Sequence, residues 1–271
     1  MIHEKFDIPF NNENAILHTY LLDNSPSIDA ERKRPMIVIC PGGGYQFTSD
    51  REAEPVAIQL LSQGFHTCIL RYSVAPAVFP TSLCQLASVV GMIRENADKW
   101  NVDSEKIIVM GFSAGGHLSA SLGVFWNNEF LVEQLPYTNE QMKPNGLILS
   151  YPVISSGEHA HEGSFKALLG EQHEQADLLE YVSLEKQVSH ETPPTFLWHT
   201  GTDASVPVEN SMVFAQALLK NKVPMELHIY PEGAHGLSLG TEETQAKGKD
   251  SHIQPEVVNW IEMAGRWVKG L

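Results

Sequence analysis

A β-branched run, Ile107-Ile108-Val109-Met110, leads directly into Gly111-Phe112-Ser113-Ala114-Gly115-Gly116, and an apolar helical pattern follows. No other stretch limits the fold so tightly. The run reads as a buried strand, the glycines as a sharp turn, and the turn opens a helix. Where a strand and the next helix nearly touch there is no room for a Cβ, so Gly111 and Gly115 meet a steric need. Ser113 sits at the apex, in a backbone conformation that few side chains tolerate. The turn presents its hydroxyl at the carboxyl edge of a sheet. The N–H of Ala114, at the start of the helix, is free to face an anion. The pattern G-x-S-x-G in this strand–turn–helix setting marks Ser113 as a candidate nucleophile.

Strand–helix alternation of the same kind runs along nearly the whole chain. Residues 1–10 and 15–22 read as two early strands, and 35–40, 66–72, 146–152, 195–200 and 226–230 as later ones. Residues 51–63 are amphipathic, with Val56, Ile58 and Leu60 expected inward and Gly64 at the end. Residues 81–100 place Leu83, Leu86, Val90 and Ile93 at helical spacing after Pro80. Further helices are expected after Ser113 to about Trp126, over 208–221 and over 255–268. The alternation predicts an α/β fold, a mostly parallel sheet with helices on both faces. Ligands of such sheets bind at the carboxyl ends of the strands.

Two segments break the rhythm, 127–145 and 154–194. The first is polar and rich in turn formers. The second has helical pieces at 165–169 and 176–181 and is expected to stand over the strand ends as a lid-like insertion. No repeat, low-complexity tract or linker divides the chain. With 271 residues, 42% of them hydrophobic, residues 1–271 suit one large α/β domain.

A net charge of −15, from 33 acidic and 18 basic residues, disfavours nucleic acid and anionic membrane surfaces as partners. No apolar stretch reaches membrane-spanning length, and the first ten residues lack the basic-then-apolar order of a secretory signal. Cys40, Cys68 and Cys84 are odd in number, lie in or beside apolar runs and match no zinc spacing. Buried, reduced thiols in a cytoplasmic protein are the simplest account. Assembly with copies of itself stays open.

A serine hydroxyl needs a base, and the base needs a partner that holds its tautomer. In folds of this type the chain order is serine, acid, histidine. Asp203 lies three residues after the 195–200 strand, in Gly201-Thr202-Asp203. Its rival, Asp177, falls in a helical pattern instead. His235 lies in Pro231-Glu232-Gly233-Ala234-His235-Gly236, just past the last strand. Position sets aside most of the other histidines. His66, His199 and His228 fall in strands, while His159, His161, His173 and His190 fall in the insertion. His3 and His18 lie in the early strands, and His252 before the last helix. His117, four residues from Ser113, lies in the helix that leads away from the cleft.

Three glycines follow the 35–40 strand in Cys40-Pro41-Gly42-Gly43-Gly44-Tyr45. They let main-chain N–H groups approach a tetrahedral oxygen, so Gly43 and Gly44 join Ala114 as candidate oxyanion donors. No Gly-Lys-Ser/Thr follows, which argues against a phosphate cradle. His159-x-His161 lacks a third ligand at a diagnostic spacing, so neither a metal nor another cofactor is expected. Tyr45, beside the glycine loop, is the candidate to stack on a sugar; Tyr72, Tyr181 and Trp198 are weaker candidates, with Trp198 read as core.

Several segments together resemble the α/β-hydrolase esterases, and among them the carbohydrate acetyl-esterase group, whose members are called acetyl-xylan esterase-like or feruloyl and acetyl esterases. The resemblance rests on CPGGGY (40–45), VMGFSAGGHLSASL (109–122), LSYPVIS (149–155), TPPTFLWHTGTDASVPVENS (192–211) and PMELHIYPEGAHGLSLG (224–240). It implies that Ser113 is the nucleophile, Asp203 the acid, His235 the base, and Gly43, Gly44 and Ala114 the oxyanion donors. It also implies short acyl esters as substrates, with acetylated saccharides the usual case. Pro41 stands where hormone-sensitive-lipase-like esterases have a histidine that orients the loop rather than doing chemistry, a departure that bears on loop geometry and not on activity; the glycine run Gly42 to Gly44 is intact. Two other readings compete. One is a prolyl-oligopeptidase-type peptidase, disfavoured by Ala114 after the nucleophile and by the lack of room for a propeller. The other is a hydrolase-fold binding protein without turnover, disfavoured because no triad member is missing.

Overall fold

The computed structural model describes residues 1–271. Eight strands form one sheet: β1 (Ile2–Phe10), β2 (Glu13–Leu21), β3 (Arg34–Cys40), β4 (His66–Arg71), β5 (Val102–Phe112), β6 (Gly146–Ser150), β7 (Thr195–Thr200) and β8 (Met225–Tyr230). Their order is β1-β2-β4-β3-β5-β6-β7-β8. The first two strands form an antiparallel hairpin that pairs antiparallel with β4; every pairing from β4 to β8 is parallel. The α/β architecture expected from the alternation, a mostly parallel sheet with helices on both faces, is present.

Ten α-helices accompany the sheet: α1 (Glu54–Ser62), α2 (Thr81–Glu95), α3 (Ala97–Trp100), α4 (Ala114–Phe125), α5 (Glu129–Gln134), α6 (Asn139–Met142), α7 (Glu162–Leu169), α8 (Ala176–Tyr181), α9 (Glu209–Lys220) and α10 (Trp260–Gly270). Two hydrophobic clusters lie on the two faces of the sheet. The larger joins α2, α4 and α9 to Met36 and Val38 of β3 and to Ile107 and Val109 of β5. The smaller joins α1 and α10 to Ile37 and Ile39, and to Ile108, Met110 and Phe112. Alternate residues of one strand thus feed opposite cores, as a period of two requires. Central parallel strands are buried on both faces and read as unbroken apolar runs, which is why they are conspicuous in the sequence.

Local expectations shift in four places. Ile58 is 60% exposed, whereas Val56 and Leu60 are fully buried. Positions 56 and 60 share a helical stripe, but 58 lies two residues from each and turns to the opposite side. The 81–100 helix breaks at Asn96 into α2 and α3. Strand β5 begins at Val102, because its first half is only partly buried and carries polar residues that mask it. The last helix begins at Trp260; the expected first turn, 255–259, is made of turns. No helix is long and apolar enough to cross a membrane. The three cysteines are buried and unpaired.

Candidate active site

The sheet order sets β5, β6, β7 and β8 side by side with carboxyl ends aligned. Ser113 follows β5, Asp203 follows β7 and His235 follows β8. The turn at Ser113 has φ 53° and ψ −119°, a strained conformation for a residue with a side chain. Packing enforces it. A Cβ on Gly111 would collide with the carbonyl of Gly115, and one on Gly115 with the carbonyl of Cys40. The Ser113 N–H donates to the Ser150 carbonyl at 3.0 Å, and its own carbonyl accepts from Val153 N–H at 3.0 Å. The turn is therefore tied into the end of β6.

Ser113 Oγ lies 2.7 Å from Nε2 of His235, and His235 Nδ1 lies 2.6 Å from Oδ2 of Asp203. Three distant parts of the sequence thus form one hydrogen-bonded chain. Because a carboxylate only accepts, His235 carries its proton on Nδ1, which leaves Nε2 as the acceptor facing the serine hydroxyl. Oδ1 of Asp203 accepts the N–H groups of Ser205 and Val206, both at 2.9 Å. Burial alone would raise the Asp203 carboxyl. The N–H donors of His199 and His235, the His235 charge and the Val206 backbone outweigh it and hold the group well below the ordinary carboxylate range.

His199 lies in a strand, a position that by sequence alone disfavours a part in the site. It is fully buried in β7, and its Nε2–H is shared between the Val206 carbonyl at 3.0 Å and Asp203 Oδ2 at 3.4 Å. Its Nδ1 receives the Ser211 hydroxyl at 2.8 Å. His199 thus supports the acid from below, a contact visible only once β7 and the turn after it are folded.

The glycine loop after β3 lies opposite. Gly42 N–H donates to Glu52 Oε2 at 2.8 Å, so it is occupied. Gly43 and Gly44 have φ of 136° and 63°, and a Cβ on Gly43 would strike the Phe47 carbonyl. No hydrogen bond within the protein engages their N–H groups. The Ala114 N–H, first in α4, has no acceptor within the helix.

Tyr45 does not face the cleft. It is 3% exposed, its ring packs edge-on against Tyr72 and His117, and its hydroxyl donates to His117 Nδ1 at 2.9 Å. The positive φ of Tyr45, 59°, turns the side chain inward. The exposed aromatic at this loop is Phe47. Tyr72 and Trp198 are likewise buried, and Tyr181 stacks on Phe125. His117 points at the insertion, donating from Nε2 to the Val182 carbonyl at 2.9 Å. Burial lowers it to about 4, against a smaller upward effect of that carbonyl.

The open cleft over Ser113 has a volume of about 350 Å³, and Phe47 is the one hydrophobic residue in its lining. His161, from the 154–194 insertion, forms part of the wall. It caps α7: the Ser164 N–H donates to its Nδ1 at 3.2 Å. That bond makes Nδ1 the acceptor and puts the ring proton on Nε2. Burial, and next the charge of His235, lower its affinity for a second proton, although Asp203 pulls the other way. The Nε2–H donor of His161 therefore stands in the same cleft as Ser113.

An α/β-hydrolase sheet with serine, histidine and aspartate linked at its carboxyl edge defines the class of protein. The BD-FAE family model matches residues 25–218. The chain belongs to that family, within the α/β-hydrolase esterases. It is 38% identical over 216 residues to endo-1,4-beta-xylanase B of Butyrivibrio fibrisolvens, covering 78% of this chain and 34% of that protein. It is 29% identical to the acetylxylan esterase of Xylanibacter ruminicola, covering 95% of this chain and 50% of the other. The chain thus spans a third to a half of the length of these curated relatives. The crystal structure of the acetyl ester-xyloside bifunctional hydrolase from Caldicellulosiruptor lactoaceticus superposes with a TM-score of 0.82 at 39% identity, covering 96% of this chain and 89% of that one.

Proposed function

We propose that the protein is a serine esterase that removes short acyl groups, acetyl above all, from hydroxyl-rich alcohols such as saccharides. The observation that carries this reading is the hydrogen-bonded chain Ser113–His235–Asp203 opening onto a cleft with a single apolar wall residue. A long acyl chain or a lipid needs apolar surface to leave water. Little is offered here, while hydroxyl groups find donors and acceptors. The names of the xylan-directed relatives point the same way.

His235 Nε2 takes the proton of Ser113 Oγ as the oxygen attacks the ester carbonyl. The N–H groups of Gly43, Gly44 and Ala114 receive the oxyanion, and Asp203 stabilises the imidazolium. The imidazolium then protonates the departing alcohol, leaving an acyl-serine. Water, deprotonated by His235, attacks that ester, and the proton returns to Ser113 as the carboxylic acid leaves. No cofactor takes part. The 154–194 insertion serves as a cleft wall, and His161 Nε2–H donates to the alcohol half of the ester. Three buried unpaired cysteines fit work in a reducing compartment such as the cytoplasm.

The test is acetate release from acetylated xylo-oligosaccharides beside p-nitrophenyl esters of rising chain length. Release of acetate from the oligosaccharides and a fall in kcat/KM with longer chains are expected. A preference for long chains, or no acetate from any saccharide, would contradict the reading.

A further inference from the structure

Glu52 is 3% exposed, yet it takes no part in the chemistry described above. A buried carboxylate is retained only where fixed dipoles or charges replace its lost hydration. Here they are dipoles. Oε2 accepts the Gly42 N–H at 2.8 Å, and Oε1 accepts the Tyr151 hydroxyl at 2.8 Å. The direction of the second bond is forced. Tyr151 Oη itself accepts the Ser238 N–H at 2.9 Å, so its own proton points to Glu52.

Three segments of the active site converge on this one side chain. Gly42 begins the glycine loop, and a Cβ on it would lie 2.9 Å from Cβ of Ser113. Tyr151 follows β6 at φ 37°, and its ring meets that of His235 edge-on, with centroids 5.2 Å apart. Ser238 lies three residues past His235 and is fixed again through its hydroxyl to the Arg51 carbonyl at 2.6 Å. Its carbonyl accepts Trp260 Nε1–H at 2.8 Å. The 3-10 turn Asp50–Glu52 before α1 aims the carboxylate back beneath the loop.

We infer that Glu52 is a positioning residue that locks the oxyanion loop and the histidine-bearing loop to one frame, so that oxyanion donors, nucleophile and base keep register. This rests on the serine-esterase reading only for the identity of the groups positioned. The glycine loop is held by a carboxylate arriving from the turn before α1. Glu52 lines the base of the cleft, but both of its oxygens are engaged by Gly42 and Tyr151, so its effect falls on kcat rather than on ground-state binding.

The experiment compares E52Q, Y151F and the double variant with wild type on p-nitrophenyl acetate. Rates are normalised to the sites that a serine-reactive phosphonate labels, and thermal unfolding is followed alongside. A glutamine satisfies only one of the two donors, so E52Q is expected to lower kcat by roughly 10- to 100-fold, the scale of a displaced catalytic constellation, with KM within about threefold. Y151F loses less, about three- to tenfold, and the double variant loses little beyond E52Q because both act through one network. Normalised kcat within about twofold of wild type in E52Q and Y151F, whatever the change in Tm, would reduce Glu52 to a fold-stabilising role and overturn the proposal. If E52Q does not fold, an unchanged kcat in Y151F overturns it alone. Wild-type protein that is phosphonylated but hydrolyses no ester would sink the esterase reading and not this one. The rate constant of phosphonylation then becomes the measure, expected to fall in E52Q and, if it does not, contradicting the role.

Discussion

His199 Nε2 lies 3.4 Å from Oδ2 of Asp203, the oxygen that also accepts the Nδ1–H of His235. A strand histidine therefore braces the acid of the candidate triad. His199→Leu strips donors or acceptors from Asp203, Val206 and Ser211 together. It should cost about 2–3 kcal/mol in urea unfolding and lower kcat roughly tenfold through a less well held carboxylate. Full activity and stability in this variant would show that the contact is incidental. The Asp203 carboxyl is held low when folded, so its stabilising effect is present above the unfolded value of about 3.9 and disappears as pH falls through the folded one.

Acid should weaken the fold well before that carboxyl titrates. His117 is fully buried and lowered from 6.5 to about 4, so between those values the unfolded chain binds a proton that the native one refuses. Stability then rises with pH, and acidification from 6.5 to 4 removes up to about 3 kcal/mol through this group. His66, also lowered to about 4, adds in the same direction. Urea unfolding at a series of pH values checks this, and His117→Gln should flatten the slope. An unchanged slope in that variant would remove His117 from the account.

The tyrosine beside the glycine loop and its exposed neighbour should behave oppositely. Tyr45→Phe loses a buried hydrogen bond to His117 and should cost about 1–2 kcal/mol in stability. Phe47→Ala removes the cleft's one apolar wall residue and should raise KM several-fold with little change in Tm. Kinetics and thermal unfolding of the two variants decide. A KM effect confined to Tyr45→Phe would restore the stacking role expected from the sequence.

His161 should act on the alcohol half of the ester. His161→Asn preserves the cap on α7, because asparagine is a good N-cap, but removes the Nε2–H donor. KM for acetylated xylo-oligosaccharides should rise about tenfold, and by more than KM for p-nitrophenyl acetate, which offers no hydroxyl beyond the ester. Equal losses on both substrates would assign His161 to the integrity of the insertion instead.

What could be read from the sequence was what short-range pattern encodes. Central strands announced themselves because both faces are buried. Ser113, Asp203 and His235 were legible because each sits in a turn directly after a strand, where glycines and position leave few choices. Glu52, His161 and His199 are not legible, because their roles exist only in the folded chain: Glu52 ties Gly42 to Tyr151, His161 is brought into the cleft over Ser113, and His199 meets Asp203 through the turn that follows β7. Glu52 looked like the polar start of an amphipathic helix, and the other two like ordinary strand and insertion histidines. Tyr45 failed for a related reason. Its neighbours in sequence line the cleft, but a positive φ sends its side chain the other way.

The central claim is that Ser113 attacks the ester with His235 as its base. Labelling with a serine-reactive phosphonate, located by peptide mass spectrometry, tests it most directly. The account predicts labelling at Ser113, none in Ser113→Ala, and labelling slowed about 10³-fold or more in His235→Ala, with ester turnover lost in parallel. Labelling at another residue, or turnover that survives Ser113→Ala, would contradict it.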